Sequence, residues 1–453
     1  MAFLLRLKNS VYFWLTLSTL LLLWVAFYNG FPIVYSDTST YLASGFELET
    51  PFDRPITYGI FIMLTSLHGI SLWLTAIIQS FMLAYILFLL FKHITNVRHF
   101  AIAAFFSILL LCTFTSLPWI SGMLLADIFT PISIFTLLLL VFINDLSKSE
   151  KITLYSFFFL SNAMHLSHVM INVLLVISML LLGRTGYLKK YFSTVKTKHL
   201  LILLGVSLSG ILIMSSAMSK SKHIFYMGRM VENGILKQYL DENCDTHQYK
   251  ICAYKDSLPA NADRFLWDYK NSPVYKLGGW KECKTEFDQI ILETLKQPKY
   301  LKLHALASYK GTTQQLTTFA IGEGNISFGK ETPLYERIQK YTGDINRYAN
   351  SKQTNNTLSP AFGFFSSCNE IAVYTSLIIL IMIVLIKPLR RKLNRIQVMF
   401  IIFTLLGIFY NDFICASLST VANRFGCRVI WMIPLLLILI VTNTFAKGKN
   451  QVK

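Results

Sequence analysis

The sequence predicts an all-α polytopic membrane protein of about ten transmembrane helices, with interfacial helices in the first external loop and a mostly helical external domain. Three observations predict it. Hydrophobic residues make up 54 % of the chain and charged residues 15 %, against about 25 % charged in an ordinary soluble domain. Several apolar runs last roughly 17–25 residues, enough for a helix to cross a ~30 Å hydrocarbon core. Inside lipid the backbone must satisfy its own hydrogen bonds, so those runs are read as helices. The third observation is where the cations fall.

The formal charge of +18 would suit a nucleic-acid binder, but its distribution argues otherwise. Outside residues 220–370 there are 22 Lys/Arg and 8 Asp/Glu, and nearly all those cations sit in short stretches between apolar runs. That is the positive-inside pattern of a membrane protein. The charge therefore reports topology, and no nucleic-acid partner is expected. With the N-terminus in the cytoplasm, six cytoplasmic stretches collect 19 of the 22 cations. The exceptions in short external loops are Arg54, Arg424 and Arg428.

Each element then follows in order. The apolar run 11–28 is too long for a signal-peptide core and lacks a small-x-small cleavage site, so it reads as an uncleaved first span. Residues 55–68 read as a short interfacial helix and 71–91 as span 2, because a second span there would put the basic "KHITNVRH" outside. Spans 3 and 4 (100–116 and 128–144) flank the external turn 116–127. Spans 5 and 6 share residues 152–182, with a tip near 161–168. Span 7 (199–217) opens into 220–370, and spans 8, 9 and 10 cover 371–386, 396–411 and 429–446. Residues 1–219 thus form one transmembrane module, with candidate catalytic loops at 29–70 and 116–127, and 371–453 form another.

Residues 220–370 are different in kind, with 20 basic against 16 acidic residues. Stretches such as "SKHIFYMGRMVENGILKQYLDEN" show the 3.6-residue period of amphipathic helices, and "LGGW" and "GEGN" read as turns. Four of the seven cysteines lie here, and Cys415 and Cys427 fall in the last external loop. An even number outside the membrane suggests disulfides in an oxidising compartment, with Cys244 and Cys252 the nearest candidates.

The residues that could carry chemistry sit at the external ends of spans. Asp37, in "YSDTSTYL", opens a surface helix with an N-cap at Ser36 or Asp37, which would hold a carboxylate rigidly at the membrane boundary as a general base. Glu47, Glu49 and Asp53 read as a solvated rim. Asp127, in "LLADIFTP", is embedded in apolar sequence, where charge is costly. It reads either as a helix N-cap or as a second functional carboxylate. His165 and His168 lie three apart at the tip of spans 5 and 6, suited to phosphate contact or to a polar bundle contact. Arg424 and Arg428 lie four apart, on one face if the segment is helical. With Arg54 they would form an anion clamp, since guanidinium matches phosphate with a planar fork. No residue is assigned as a metal ligand.

This pattern resembles the glycosyltransferase-C superfamily. The matching features are Asp37 after span 1, the surface helix "RPITYGIF", Asp127 in the second external loop, the large region after span 7, and "RFGCRVIWMIPLLLIL" leading into the last span. The resemblance covers the ten-span layout and some sixty residues of motif. It implies an enzyme that takes a sugar from a polyprenyl-phosphate-linked donor at the outer membrane face and passes it to a lipid, glycan or protein acceptor. Asp37 would act as base and Asp127 as its companion carboxylate. Arg54, Arg424 or Arg428 would hold the leaving phosphate, assisted by His165 or His168. "SDTS" lacks a doubled acidic pair, so involvement of a divalent cation (Mg or Mn) stays open. The expected location is a bacterial inner membrane, with membrane lipids as neighbours and both termini cytoplasmic. Two other classes remain: a transporter or flippase of a lipid-linked glycan, and a non-catalytic assembly protein.

Overall fold

In a computed structural model, residues 10–184, 189, 192 and 195–450 are described, apart from the side chains of 214–219 and 445–450. The described residues are helical and contain no strands. Four helices are long and apolar enough to cross a membrane: Leu72–Ile94, Ser359–Leu385, Arg395–Leu418 and Asn423–Thr444. Five further apolar helices are shorter, from 12 residues in Val11–Leu22 to 17 in Leu166–Leu182. The structure therefore has four membrane-length helices, and ten crossings remain an expectation. On Phe362–Leu385 the side chains of Phe364, Ile371, Ile378 and Leu385 are all exposed. Their seven-residue spacing makes one uncovered apolar stripe, a surface that water would penalise and lipid would not.

The first loop is built rather than slack. Val11–Leu22 breaks at Leu23, continues as Trp24–Asn29, and ends on Gly30 at φ 83°. An extended stretch then pairs with the 117–128 segment: Ile33 N–H donates to the Gly122 carbonyl (2.9 Å), and Leu124 N–H to the Ile33 carbonyl (2.8 Å). Helix Ser36–Glu47 follows. Its N-cap is Tyr35, not Ser36 or Asp37, because the Thr38 hydroxyl accepts the Tyr35 N–H at 3.0 Å in a capping box. Asp37 consequently sits in the first helical turn.

Residues 55–68 do form a separate short helix, Thr57–Thr65, which is too short to cross a membrane. It crosses Ser36–Glu47 with almost nothing between the backbones. A Cβ on Gly45 would lie 2.1 Å from the Gly59 carbonyl oxygen, and one on Gly59 would lie 2.5 Å from Ser44 Oγ. A turn with Leu67, His68 and Gly69 at positive φ then leads into Leu72–Ile94, whose first turn is capped by Ser71 and by Asp344 from far along the chain.

The 220–370 region has two parts. Residues from Ile224 to Tyr300 enclose a hydrophobic core of their own. By contrast, Phe319, Ile321, Leu334, Ile338 and Tyr348 join the main core of the bundle. This second part is bound to the bundle by polar contacts as well: Gln353 exchanges two hydrogen bonds with the Val34 backbone, at 3.1 and 2.7 Å. The boundary expected near residue 220 falls inside one continuous 36-residue helix, Thr197–Glu232. Cys244 and Cys252 are joined as a disulfide, while Cys415 and Cys427 are free and buried.

A second difference concerns the end of the chain. Arg395–Leu418 runs seven residues past the expected end of span 9, so Asp412 and Cys415 lie buried on a helix instead of in a loop. Only Ser419–Ala422 connects it to the next helix, Asn423–Ile430. Asn-Asp reads as a turn signal in sequence, but the burial of both side chains between helices overrides it.

Candidate active site

Six charged residues from four separate places in the chain meet at one point. The Asp37 carboxylate oxygen Oδ2 faces two guanidinia, with Arg54 Nη1 at 3.0 Å and Arg424 Nη1 at 2.8 Å. Each arginine holds a second carboxylate. Arg54 Nε donates to Asp53 at 2.9 Å, and Arg424 Nε lies 3.6 Å from Asp127. Asp127 in turn pairs with Arg428, which is fully buried. The result is a ladder of alternating charge: Asp53, Arg54, Asp37, Arg424, Asp127, Arg428.

Local structure explains why each side chain arrives there. Asn423–Ile430 is helical, so Arg424 and Arg428 share one face, as their spacing predicts. Arg428 is fixed from several directions: its Nε donates to Asn411 Oδ1 at 2.8 Å, and its Nη2 lies 3.3 Å from Ser167 Oγ and 3.1 Å from Cys415 Sγ. Asn411 also donates to the Phe425 carbonyl. Such multiple satisfaction is what a charge removed from water requires. Arg424 stacks over the Tyr35 ring at 4.6 Å and Arg54 over Tyr41 at 5.1 Å.

The "GEGN" turn closes the site. Glu323 Oε2 accepts the Arg424 backbone N–H at 3.1 Å, capping the helix on which Arg424 and Arg428 stand. Both flanking glycines are required. Gly322 (φ 106°) and Gly324 (φ 71°) lie so close to the Phe362 and Tyr35 rings that a Cβ would fall 2.2 and 1.8 Å from ring carbons.

These groups line one end of a cavity of about 1510 Å³ that also touches the Ile224–Tyr300 unit. Asp37, Arg54, Arg424, His165 and Tyr41 lie on its lining, whereas Asp127 and Arg428 do not and stand behind it. The far wall mixes apolar side chains, Phe225, Leu266, Leu292 and Leu295 among them, with polar ones. A charged end joined to a wall that carries apolar side chains suits an amphiphilic ligand.

Protonation follows from the contacts. Burial alone would raise the Asp37 carboxyl, but Arg54 and Arg424 outweigh it and hold Asp37 well below the usual carboxylate range. Burial opposes the Arg54 charge too, and Asp37 and Asp53 more than restore it. His165 is pushed down to about 4, by burial first and Arg428 second, so it is neutral at pH 7. Its Nδ1 accepts the Ser167 backbone N–H at 3.2 Å, which leaves the ring proton on Nε2.

Of the residues singled out in the sequence, Asp37, Asp127, Arg54, Arg424, Arg428 and His165 are brought together. His168 is not brought to the cavity. It is fully buried, with Nδ1 at 2.8 Å from the Ser161 carbonyl and Nε2 at 2.9 Å from Thr130 Oγ1. It ties three helices together, so a direct contact with phosphate is set aside. The Cys244–Cys252 disulfide belongs to the separate Ile224–Tyr300 unit. Asp53 was expected on a solvated rim, but its side chain is only 11 % exposed and anchors Arg54. Glu47 does lie on the exposed rim, beside Lys340 and Tyr341.

Sequence reasoning missed Tyr35, Tyr41, Glu323 and Asn411. Of these, only Glu323 carried a signal, as an acid between two glycines. Among the described residues no group of three or more His, Cys, Asp or Glu side chains converges as a metal site would need. An all-helical fold with membrane-length helices and a buried charge ladder is the class these features define. Compared with known proteins, the chain matches no family model, and no curated protein and no solved structure is significantly similar to it.

Proposed function

We propose that this chain is a membrane glycosyltransferase of the glycosyltransferase-C kind, with about ten spans and its cavity opening at the outer face of a bacterial inner membrane. It would transfer a sugar from a polyprenyl-phosphate-linked donor to an acceptor hydroxyl or amine. The observation that carries the reading is that Asp37 Oδ2 is shared between Arg54 and Arg424 on the lining of an amphiphilic cavity.

That sharing suggests how the chemistry would be timed. Each arginine has an anchor apart from Asp37, namely Asp53 for Arg54 and Asp127 for Arg424. A phosphate entering between the arginines can therefore displace Asp37 without either cation losing its place. Freed from two guanidinia, the carboxylate becomes a stronger base. It takes the acceptor proton as the acceptor oxygen or nitrogen attacks the anomeric carbon. The bond from that carbon to the phosphate oxygen breaks, and the departing phosphate keeps the electron pair. Arg54 and Arg424 stabilise the charge that develops, with the His165 Nε2–H as a neutral donor. Arg428 and Asp127 position Arg424 from behind and touch no substrate.

Asp37→Asn tests the reading. The envelope glycans of cells lacking the chain, complemented with wild type or variant, are profiled by mass spectrometry. The expected result is loss of one glycan species and a fall in transfer of about 10²–10⁴-fold. An Asp37→Asn protein that is inserted normally and restores the full glycan would end the proposal. A second reading, transport of a lipid-linked glycan, is favoured by Asp412, a carboxylate buried on a membrane-length helix beside Asn411. Under that reading Asp412→Asn abolishes function and Asp37→Asn does not.

A further inference from the structure

The far side of the cavity is formed by the unit that has its own core, and its chemistry differs from that of the charge ladder. Trp267 and Tyr269 stand on the lining with their faces available. Trp267 is 36 % exposed and Tyr269 is 70 % exposed. Neither ring is loose. Trp267 is braced by Trp280 at 5.4 Å and by Phe225 at 6.2 Å, and Tyr269 rests on Tyr275 at 4.5 Å. Large rings held from behind and open in front form a platform, not a core.

The charge on this wall is equally informative. Glu232 is paired with Arg229, and Asp288 with Lys284. What is left is Asp263 against Lys222, both on the lining. In a chain of net charge +18, this wall therefore has no surplus of positive charge. An anionic ligand would find here, among the described lining residues of this unit, Lys222 alone to compensate its desolvation, offset by Asp263. Asn261, also on the lining and exposed, adds amide hydrogen-bonding capacity.

We infer that this wall is a subsite for an uncharged saccharide, the acceptor glycan, whose sugar rings stack their C–H faces on Trp267 and Tyr269 while their hydroxyls meet Asn261 and Asp263. The inference rests on the glycosyltransferase reading for the word acceptor, but the binding it states does not require catalysis. It narrows the acceptor from lipid, glycan or protein to a neutral glycan. It also separates labour within one cavity: the arginines take the phosphate end of one substrate, and the aromatic wall takes the sugar of the other.

The test uses the full chain in detergent micelles and saturation-transfer NMR with maltotriose, mannotriose, chitotriose and, as the acidic probe, trigalacturonate. At least one neutral trisaccharide is expected to bind saturably and to receive saturation through Trp267 and Tyr269, whereas any trigalacturonate binding, which the arginines could supply, should not depend on these two rings. Trp267→Ala and Tyr269→Ala should each weaken the neutral ligand by about tenfold, the scale of one aromatic contact. Trp267→Phe should restore part of it, and unchanged unfolding midpoints would show that the variants are folded. The inference is overturned if no neutral probe saturates, if trigalacturonate binding falls in the alanine variants as much as that of the neutral sugars, or if both alanine variants bind normally. Saccharide binding that survives while Asp37→Asn proves fully active would sink the catalytic reading and leave the subsite standing.

Discussion

At Asp37 burial pushes the carboxyl up and two guanidinia pull it down, with the guanidinia stronger. Because its folded value lies below the ordinary 3.8, the stability it contributes is complete above about pH 4 and is lost only as the pH falls further. His165 behaves differently. Its folded value of about 4 lies below the ordinary 6.5, so the folded state resists protonation that the unfolded chain accepts. Stability should therefore fall progressively as the pH drops from about 6.5 toward about 4, and His165→Gln should make that part of the profile shallower. Unfolding midpoints of the purified protein, recorded from about pH 8 to about pH 2, check both statements. Arg428 gives the largest residue-scale effect. Arg428→Met would leave Asp127 charged without its fully buried partner, at a cost of about 3–5 kcal/mol. The double variant with Asp127→Leu should recover most of that loss in the same thermal assay.

The residues of this ladder were legible in the sequence for a specific reason. Arg54, Arg424 and Arg428 are cations placed against the positive-inside bias, and Asp37 and Asp127 are carboxylates in apolar surroundings. Such departures are visible one residue at a time. The pairing of Asp37 with Arg424 was not, because 387 positions separate them. Tyr35 and Tyr41 were hidden as two aromatics in a chain rich in them, and their ring contacts with the arginines exist only after folding.

Among elements, the crossing of Ser36–Glu47 with Thr57–Thr65 sets the position of the site. Glycine inside a helix costs about 1 kcal/mol relative to alanine, so Gly59→Ala would stabilise an isolated helix. Here the added methyl would meet Ser44 Oγ, the Tyr41 carbonyl and the Gly45 nitrogen, all within 2.7 Å. The sign therefore reverses, with an expected loss of about 1–3 kcal/mol from overpacking and a larger loss of activity than of stability, since Tyr41 and Arg54 move with the helix. Thermal unfolding beside a transfer assay separates the two effects. The charge pattern around residues 92–99 pointed to the short helix but not to its closeness to a neighbour, because two glycines at a distance in sequence carry no mark of facing each other. The opposite error occurred at Arg395–Leu418, where polar residues suggested a loop and burial extended the helix.

For the molecule as a whole, the 319–361 segment is the clamp that joins the 220–370 region to the bundle. Asp344 is its most committed residue. It is buried and accepts from Leu72 N–H at 2.6 Å and from Ser71 Oγ at 3.0 Å, capping a membrane-length helix from 272 residues away. Asp344→Ala should cost about 1–2 kcal/mol. Hydrogen exchange should rise together at residues 66–75 and 333–349, two places far apart in sequence that this carboxylate and the Gly343 N–H to Gly69 carbonyl bond (3.0 Å) bring together. Exchange that rises at neither would show that the clamp does not depend on this cap and is held by its other contacts, Gln353 with Val34 among them.

The helix Thr197–Glu232 has a mechanical meaning. Its first half is apolar and packs against the bundle, and its second half carries core residues of the unit that forms the far wall of the cavity. A helix of 36 residues is a rod of about 54 Å. With its lower half seated in lipid, a change in bilayer thickness is met by tilt, and about 5° of tilt sweeps the far end through about 5 Å, close to the width of a sugar ring. The lipid around the protein would then act as a caliper on the cavity, setting how wide an acceptor it admits.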